Sequence, residues 1–270
     1  MIRCKICGFE TEVAFHTKIL NRYAVVYYKC PKCFFIQSQE PFWIEESYKE
    51  GVSDFDIFTA SRCLLNSKLS KRVIRFYFDG SRDFLDYGGG TGLMVRFMRD
   101  MGYNFYLSDP YCTNIFAKPF HIEGLNNSPR NFELVTAFEV FEHFQDPLKS
   151  IEDIFSYSKS VLFSTSLQPS KDVTPESWDY INPLQGQHIS LYSIETLKFI
   201  AEKYSCNLYT NGYYLHLFTP KKLFLPSTVF LLLDYDRLLI GLRKRLTRGR
   251  KVSLESDYEL IKKLNSKYDK

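Results

Sequence analysis

The residues from Phe84 to Leu93 read Phe-Leu-Asp-Tyr-Gly-Gly-Gly-Thr-Gly-Leu, a short apolar run that stops in a cluster of glycines. An apolar run this short, bounded by turn residues, reads as a buried strand. Glycines at 88, 90 and 92 let the backbone turn sharply and approach a ligand closely. A helical pattern over 93–101 follows at once, with Gly102 placed as its stop. Strand, tight turn and helix in this order form the first unit of a mostly parallel sheet with helices on both faces.

The alternation continues along the chain. Segments 103–108, 133–138 and 160–165 read as further strands. Segments 146–157 and 194–204 read as helices, the second with Ser193 placed as its N-cap. Asn211-Gly212 between the apolar runs 208–210 and 213–218 supplies the geometry of a tight antiparallel turn, so a hairpin should close one edge of the sheet. Four parts are expected along the chain. A small ribbon of short strands occupies 1–40, a helical linker 41–80, the α/β domain 81–220, and a basic helical tail 221–270.

The ligand of the glycine turn is constrained by its neighbours. A dinucleotide fingerprint would read G-x-G-x-x-G, but from Gly88 or Gly90 the third position falls on Leu93 or Val95. Asp86 stands just before the glycines, where a carboxylate suits a ligand bearing a cationic amine and repels a pyrophosphate. Leu107-Ser108-Asp109-Pro110 places Asp109 at the end of the next strand, where a carboxylate can accept both hydroxyls of a ribose.

Asp-x-Gly-x-Gly-x-Gly at 86–92, followed by an acidic residue ending the next strand, resembles the class I, seven-stranded S-adenosylmethionine-dependent methyltransferases. The likeness covers roughly 80–220. It implies a Rossmann-like, mostly parallel seven-stranded sheet with an antiparallel edge hairpin. It further implies that Gly88, Gly90 and Gly92 line the amino-acid part of S-adenosylmethionine. Asp86 would lie by the methionine amine or order the turn, and Asp109, with Pro110 beside it, would bind the ribose. The segment Thr136-Ala137-Phe138-Glu139-Val140-Phe141-Glu142-His143-Phe144-Gln145-Asp146-Pro147 resembles the stretch after the fourth strand in small-molecule members of this class. That likeness puts Phe138 and Glu139 near the cofactor and turns Glu142 and His143 toward the methyl group. Glu139-x-x-Glu142-His143 also resembles locally a metal-binding pattern of quinone-biosynthesis O-methyltransferases, in which two carboxylates and an imidazole could hold magnesium. Glu142 and His143 could instead simply cap a helix.

The aromatic stretch 178–193 lies between the fifth strand and the next helix, where this fold builds part of the acceptor pocket. It contains His188, the candidate general base, because a free imidazole titrates near the working pH. A core histidine bonded to a carbonyl is the rival reading. His16, His121 and His216 have no such context and are expected to be structural.

Cys4-x-x-Cys7 and Cys30-x-x-Cys33 form two pairs whose thiolates can share one tetrahedral ion. A redox pair normally occurs once, beside a βαβ unit. Four-cysteine zinc is therefore expected. Its closed sulfur shell leaves no position for substrate, so the metal should be structural.

The balance of these features is an enzyme that moves a methyl group from S-adenosylmethionine to a small-molecule or sugar-linked acceptor, at oxygen. Two other classes stay open: a zinc-ribbon nucleic-acid binder or RNA methyltransferase, and a non-catalytic cofactor-binding partner. A net charge of +4 is too mild to argue for nucleic acid by itself; the dense basic cluster is confined to 243–251. The tail could pack on the domain, make a homodimer, or lie on a membrane surface. An odd cysteine count with paired Cys-x-x-Cys spacings suits a reducing compartment, and with no apolar stretch of signal-peptide length the expected location is the cytoplasm.

Overall fold

A computed structural model describes residues 2–48, 56–124, 131–170, 172–223 and 257. Its elements in chain order are β1 (Glu12–Ile19), β2 (Tyr23–Lys29), β3 (Ile36–Ser38), α1 (Ile44–Ser47), α2 (Thr59–Tyr77), β4 (Asp83–Tyr87), α3 (Leu93–Asp100), β5 (Asn104–Ser108), β6 (Leu134–Phe138), α4 (Pro147–Tyr157), β7 (Val161–Ser164), β8 (Ser190–Leu191), α5 (Ile194–Lys203), β9 (Asn207–Thr210) and β10 (Leu215–Thr219). The tail expected over 221–270 falls almost entirely outside the described residues. No helix among those described is long and apolar enough to cross a membrane.

The larger sheet has the order β5-β4-β6-β7-β10-β9. β5, β4, β6 and β7 run parallel. β10 runs antiparallel to both β7 and β9. Its strands are apolar on both faces because each face carries a layer of helices. Alternate residues feed opposite layers. Leu85, Val135, Phe163 and Phe218 pack in one core with Ile151, Ile154, Leu197 and Ile200 of α4 and α5. Phe84, Leu134, Leu162 and Leu217 pack in the other with Leu69, Val73, Val95 and Met98 of α2 and α3.

Six strands are described in this sheet where the resemblance implies seven. Beyond β5 a single parallel bridge joins Leu107 to His121, and residues 125–130 after it lie outside the described ones. The edge hairpin forms, but its connection differs from a two-residue turn. The Asn211 carboxamide oxygen accepts from the backbone N–H groups of Tyr213, Tyr214 and Leu215, and this side-chain knot widens the loop to 211–214. The capping expectation at α5 holds, where Ser193 forms a reciprocal box with Thr196; at α4 the Asp146 carboxylate accepts from Lys149 N.

A smaller antiparallel sheet has the order β1-β2-β3-β8. Its last strand comes from 190–191, pairing Ile36 with Leu191 and Gln37 with Ser190. Phe15, Ile19, Tyr27 and Trp43 share an apolar core with Val173, Ile181 and Ile189. The N-terminal cysteine-bearing sheet is thereby completed by the segment that carries His188.

Candidate active site

The parallel sheet reverses its direction of growth between β4 and β6, and ligands of open α/β sheets bind outside the strand ends at such a point. The chain leaves β4 through Gly88, which takes φ +66, and enters α3 through Gly92, at φ +80. A Cβ at Gly92 would sit 2.7 Å from the Ala117 Cβ and 3.1 Å from the Ala117 backbone nitrogen. At Gly90, φ +59, a Cβ would meet nothing within 4 Å, so this glycine keeps the floor of an open space bare. Gly89 is not among the residues that the spacing singles out. A Cβ there would run into the Asp86 carboxylate and the Leu107 side chain, so this glycine serves close packing.

Asp109 follows β5 directly. Its Oδ2 accepts from Gly90 N at 2.8 Å, and its Oδ1 accepts from Tyr111 N and Cys112 N, both at 2.9 Å. The carboxylate thus ties the glycine turn to the next loop, and unused lone-pair capacity remains on Oδ2. Pro110 beside it is exposed.

Asp86 lies behind the turn, 2% exposed, where its Oδ1 accepts from the Thr136 hydroxyl at 2.7 Å. Burial pushes its carboxyl up to about 7. The folded chain therefore holds a proton that the unfolded chain releases near pH 4, and stability falls as pH rises from there to about 7. Each step of one pH in that window costs the native chain about 1.4 kcal/mol. Asp86→Asn cannot ionise and escapes this loss. Its melting temperature relative to the unsubstituted chain is therefore expected to climb between pH 5 and pH 8. Melting followed by circular dichroism without cofactor checks this; a gap that stays constant with pH contradicts it.

Beyond β6 the backbone kinks at Glu139, a non-glycine at φ +57. Left-handed conformation in a bulky residue costs free energy and persists where the surroundings enforce it. Ser164, at the end of β7, does so: its Oγ accepts from Glu139 N at 2.9 Å and donates to Glu139 Oε1 at 2.8 Å. Arg62 of α2 places Nη1 3.9 Å from Glu139 Oε2. Phe138, just before the kink, is partly buried against the α2–α3 core.

Phe141–His143 then form a single 3-10 turn. The helix after it is capped by Asp146, so Glu142 and His143 are not its cap. Glu142 has no exposed surface, and neither carboxylate oxygen has a hydrogen-bond partner among the described residues. Burial, reinforced by the charge of Glu139, raises its carboxyl well above the usual range. His143 Nε2 lies 3.9 Å from Glu142 Oε1, and its Nδ1 is 2.9 Å from the Tyr48 hydroxyl. His188 Nδ1 is hydrogen bonded to the Tyr180 carbonyl; a carbonyl only accepts, so this nitrogen carries the proton and Nε2 keeps its lone pair. The two imidazoles face each other edge to face at 5.1 Å. Burial lowers the pKa of both, further for His143 beside His188, so both are neutral at physiological pH.

The structure therefore brings Glu142, His143 and His188 together, and it directs Glu139 away to Ser164 and Arg62. Tyr48, Arg62, Ser164 and Tyr180 belong to the site, and no sequence spacing marks them. An open cleft of about 550 Å³ lined by Ser166, Trp178, Asp179, Tyr180 and Tyr213 shares Tyr180 with this cluster.

The four paired cysteines also converge. Cys4 Sγ and Cys33 Sγ lie 3.6 Å apart, Cys7 Sγ and Cys30 Sγ 3.4 Å. Bonds of about 2.3 Å to one tetrahedral ion would set sulfurs about 3.8 Å apart, so the set fits zinc with little movement. Two matching turns present them. Gly8 N donates to the Cys4 carbonyl and Phe34 N to the Cys30 carbonyl, each at 2.9 Å, with Gly8 and Phe34 both left-handed. This centre is bonded to the segment that carries His188. The Cys33 carbonyl accepts from Ser193 Oγ at 2.9 Å and Thr196 Oγ1 at 2.8 Å. The Tyr27 hydroxyl donates to the His188 carbonyl at 3.0 Å, and Trp43 Nε1 to that of Gly186 at 2.8 Å.

A family model described as a methyltransferase domain matches residues 62–211, more than half of the chain. No curated protein matches it. Similar solved structures include the plantazolicin methyltransferase BpumL in complex with SAH, 13% identical over 73% of this chain and 84% of that one, with a TM-score of 0.44. Another is an O-methyltransferase family 2 protein from Planctomyces limnophilus in complex with apigenin, 14% identical over 64% and 63% of the two chains, TM-score 0.39. A third is magnesium protoporphyrin IX methyltransferase from Synechocystis with bound SAH, 15% identical over 64% and 90%, TM-score 0.41.

Proposed function

The chain belongs to the methyltransferase domain family, and from that premise we propose that it moves a methyl group from S-adenosylmethionine to a small-molecule or sugar-linked acceptor, at oxygen. The observation that carries the reading is the bare floor at Gly90, bonded at 2.8 Å to the Asp109 carboxylate and open to a ligand on its free side. In this reading Gly88, Gly90 and Gly92 take the amino-acid part of the cofactor. Asp109 uses its remaining lone-pair capacity on the ribose, with Pro110 alongside. Phe138 and Glu139 form the wall after β6, and the Ser164 bonds hold Glu139 in its kinked position.

The sulfonium of the cofactor supplies an already activated methyl group, so the chain's own work is alignment, water exclusion and proton removal. Glu142, His143 and His188 stand at the acceptor end. Neutral His188 presents the Nε2 lone pair, fixed in direction by its Nδ1–H on the Tyr180 carbonyl. An acceptor hydroxyl arriving through the Tyr180 cleft would lose its proton here. Zinc on Cys4, Cys7, Cys30 and Cys33 would be a structural ion, since all four positions are filled by sulfur. Free thiols of this kind suit the cytoplasm, where the reading places the chain.

The test is transfer of labelled methyl from S-adenosylmethionine to panels of sugar-linked, quinone and phenol acceptors. Removing a positioned proton acceptor costs about 10²–10⁴-fold in rate. His188→Asn is expected to show a loss in that range on any acceptor found, with S-adenosylhomocysteine affinity unchanged. Unaltered turnover in that variant would remove His188 from the acceptor site.

A further inference from the structure

The lone pairs that could serve an acceptor hydroxyl directly could also serve it through an ion. We propose that Glu142, His143 and His188 hold a divalent transition-metal ion, distinct from the four-cysteine centre, whose open positions bind the acceptor's oxygen. This rests on the methyl-transfer reading for its role, in which an ion on His188 Nε2 would replace that nitrogen's own proton abstraction, and on the geometry alone for its existence.

Three observations carry it. The ligand atoms of the three residues all lie within 4.8 Å of one another. Bonds of about 2.0–2.2 Å would draw them together by side-chain rotation. The Glu142 carboxylate is fully buried, and neither oxygen has a hydrogen bond of 3.5 Å or less among the described residues; the Tyr180 and Thr165 hydroxyls act on it only as weaker, more distant polar neighbours. A buried carboxylate left so is costly, and coordination is one of the few ways to satisfy it. The outer nitrogens are also held as ligating imidazoles require: His188 Nδ1 donates to the Tyr180 carbonyl, and His143 Nδ1 meets the Tyr48 hydroxyl at 2.9 Å. Both contacts leave the Nε2 atoms to face inward once His143 takes the matching tautomer.

The donor set selects the ion. Two imidazoles and one carboxylate suit zinc, iron, cobalt or manganese better than magnesium, which prefers oxygen. Three protein ligands leave coordination positions open, unlike the closed sulfur shell. An acceptor hydroxyl bound there becomes more acidic. Its O–H bond breaks with the proton passing to water in the cleft. The oxygen then forms its bond to the methyl carbon as the carbon–sulfur bond breaks, and the electron pair stays on sulfur.

The test uses the full chain saturated with Zn²⁺, freed of loose ion and analysed for metal by mass spectrometry. One zinc beyond that of the four-cysteine centre is expected. Glu142→Gln and His188→Asn should each lose that one ion and keep the other. X-ray absorption at the zinc edge on the unsubstituted chain should show nitrogen and oxygen ligands beside sulfur. A sulfur-only shell overturns the proposal, whether or not the variants fold. So does full metal retention in both variants. S-adenosylhomocysteine titration, run in parallel, separates the two readings. Cofactor binding without the second ion sinks only the metal site, and the second ion without cofactor binding sinks only the methyl-transfer reading.

Discussion

Asp109→Ala is expected to weaken S-adenosylhomocysteine binding about 100-fold, the largest effect of any single substitution on the cofactor side. The carboxylate has two tasks that fail together. It holds the glycine turn and the following loop through the N–H groups of Gly90, Tyr111 and Cys112. In the proposed reading it also accepts from the ribose. A hydrogen bond to a charged group contributes about 1.5–3 kcal/mol, which corresponds to about 10–150-fold in affinity. Asp153→Asn is the matched control, since Asp153 is exposed and, among the described residues, its carboxylate accepts a side-chain hydrogen bond from the Tyr87 hydroxyl alone. Isothermal titration of both variants checks the expectation. Equal affinities would show that the ribose lies elsewhere.

The second large effect is expected at the four-cysteine centre. Cys30→Ser, or stripping metal from the four-cysteine centre, should reduce methyl transfer more than 100-fold while S-adenosylhomocysteine affinity changes by no more than about threefold. A structural zinc centre contributes about 10–16 kcal/mol of apparent binding free energy to its small domain, so its loss melts the sheet it holds. That sheet includes β8, and residues in and beside it hold the segment proposed to face the acceptor: Cys33 on Ser193 and Thr196, Tyr27 on the His188 carbonyl, Trp43 on the Gly186 carbonyl. Displacing His188 by an ångström is enough to spoil alignment with the methyl group. The glycine turn is anchored separately, on β4, β5 and α3, and should survive. Methyl transfer persisting after metal loss would show that the ribbon does not position the acceptor site.

Much of the fold is legible in the sequence, and the reason is local. β6 and β7 are near-continuous apolar runs because both faces are covered, β4 carries Phe84-Leu85 between two aspartates, and Gly88–Gly92 follow at the point where the chain must turn. The cysteine pairs are legible because two-residue spacing is itself the geometry of a knuckle. The rest depends on partners far along the chain. β8 is two residues long and exists only because β3 offers it an edge. Glu139 resembles a ligand by its spacing, yet the left-handed backbone enforced by Ser164 turns it toward Arg62. Tyr48 and Tyr180 reach the two histidines from segments 95 and 8 residues away, and no periodic pattern marks such contacts. The widened turn at 211–214 escapes for another reason: the Asn211 side chain, bonding its own loop, outcompetes the tight turn that the dipeptide suggests.

The central claim is that the turn at Gly88–Gly92, with Asp109 across from it, is built for the adenosine of S-adenosylmethionine. It is tested most directly by calorimetric titration of the full chain with S-adenosylhomocysteine, then with a nicotinamide dinucleotide as competitor. The account expects saturable binding at one site per chain and no displacement by the dinucleotide. Absence of binding, or displacement by the dinucleotide, would contradict it.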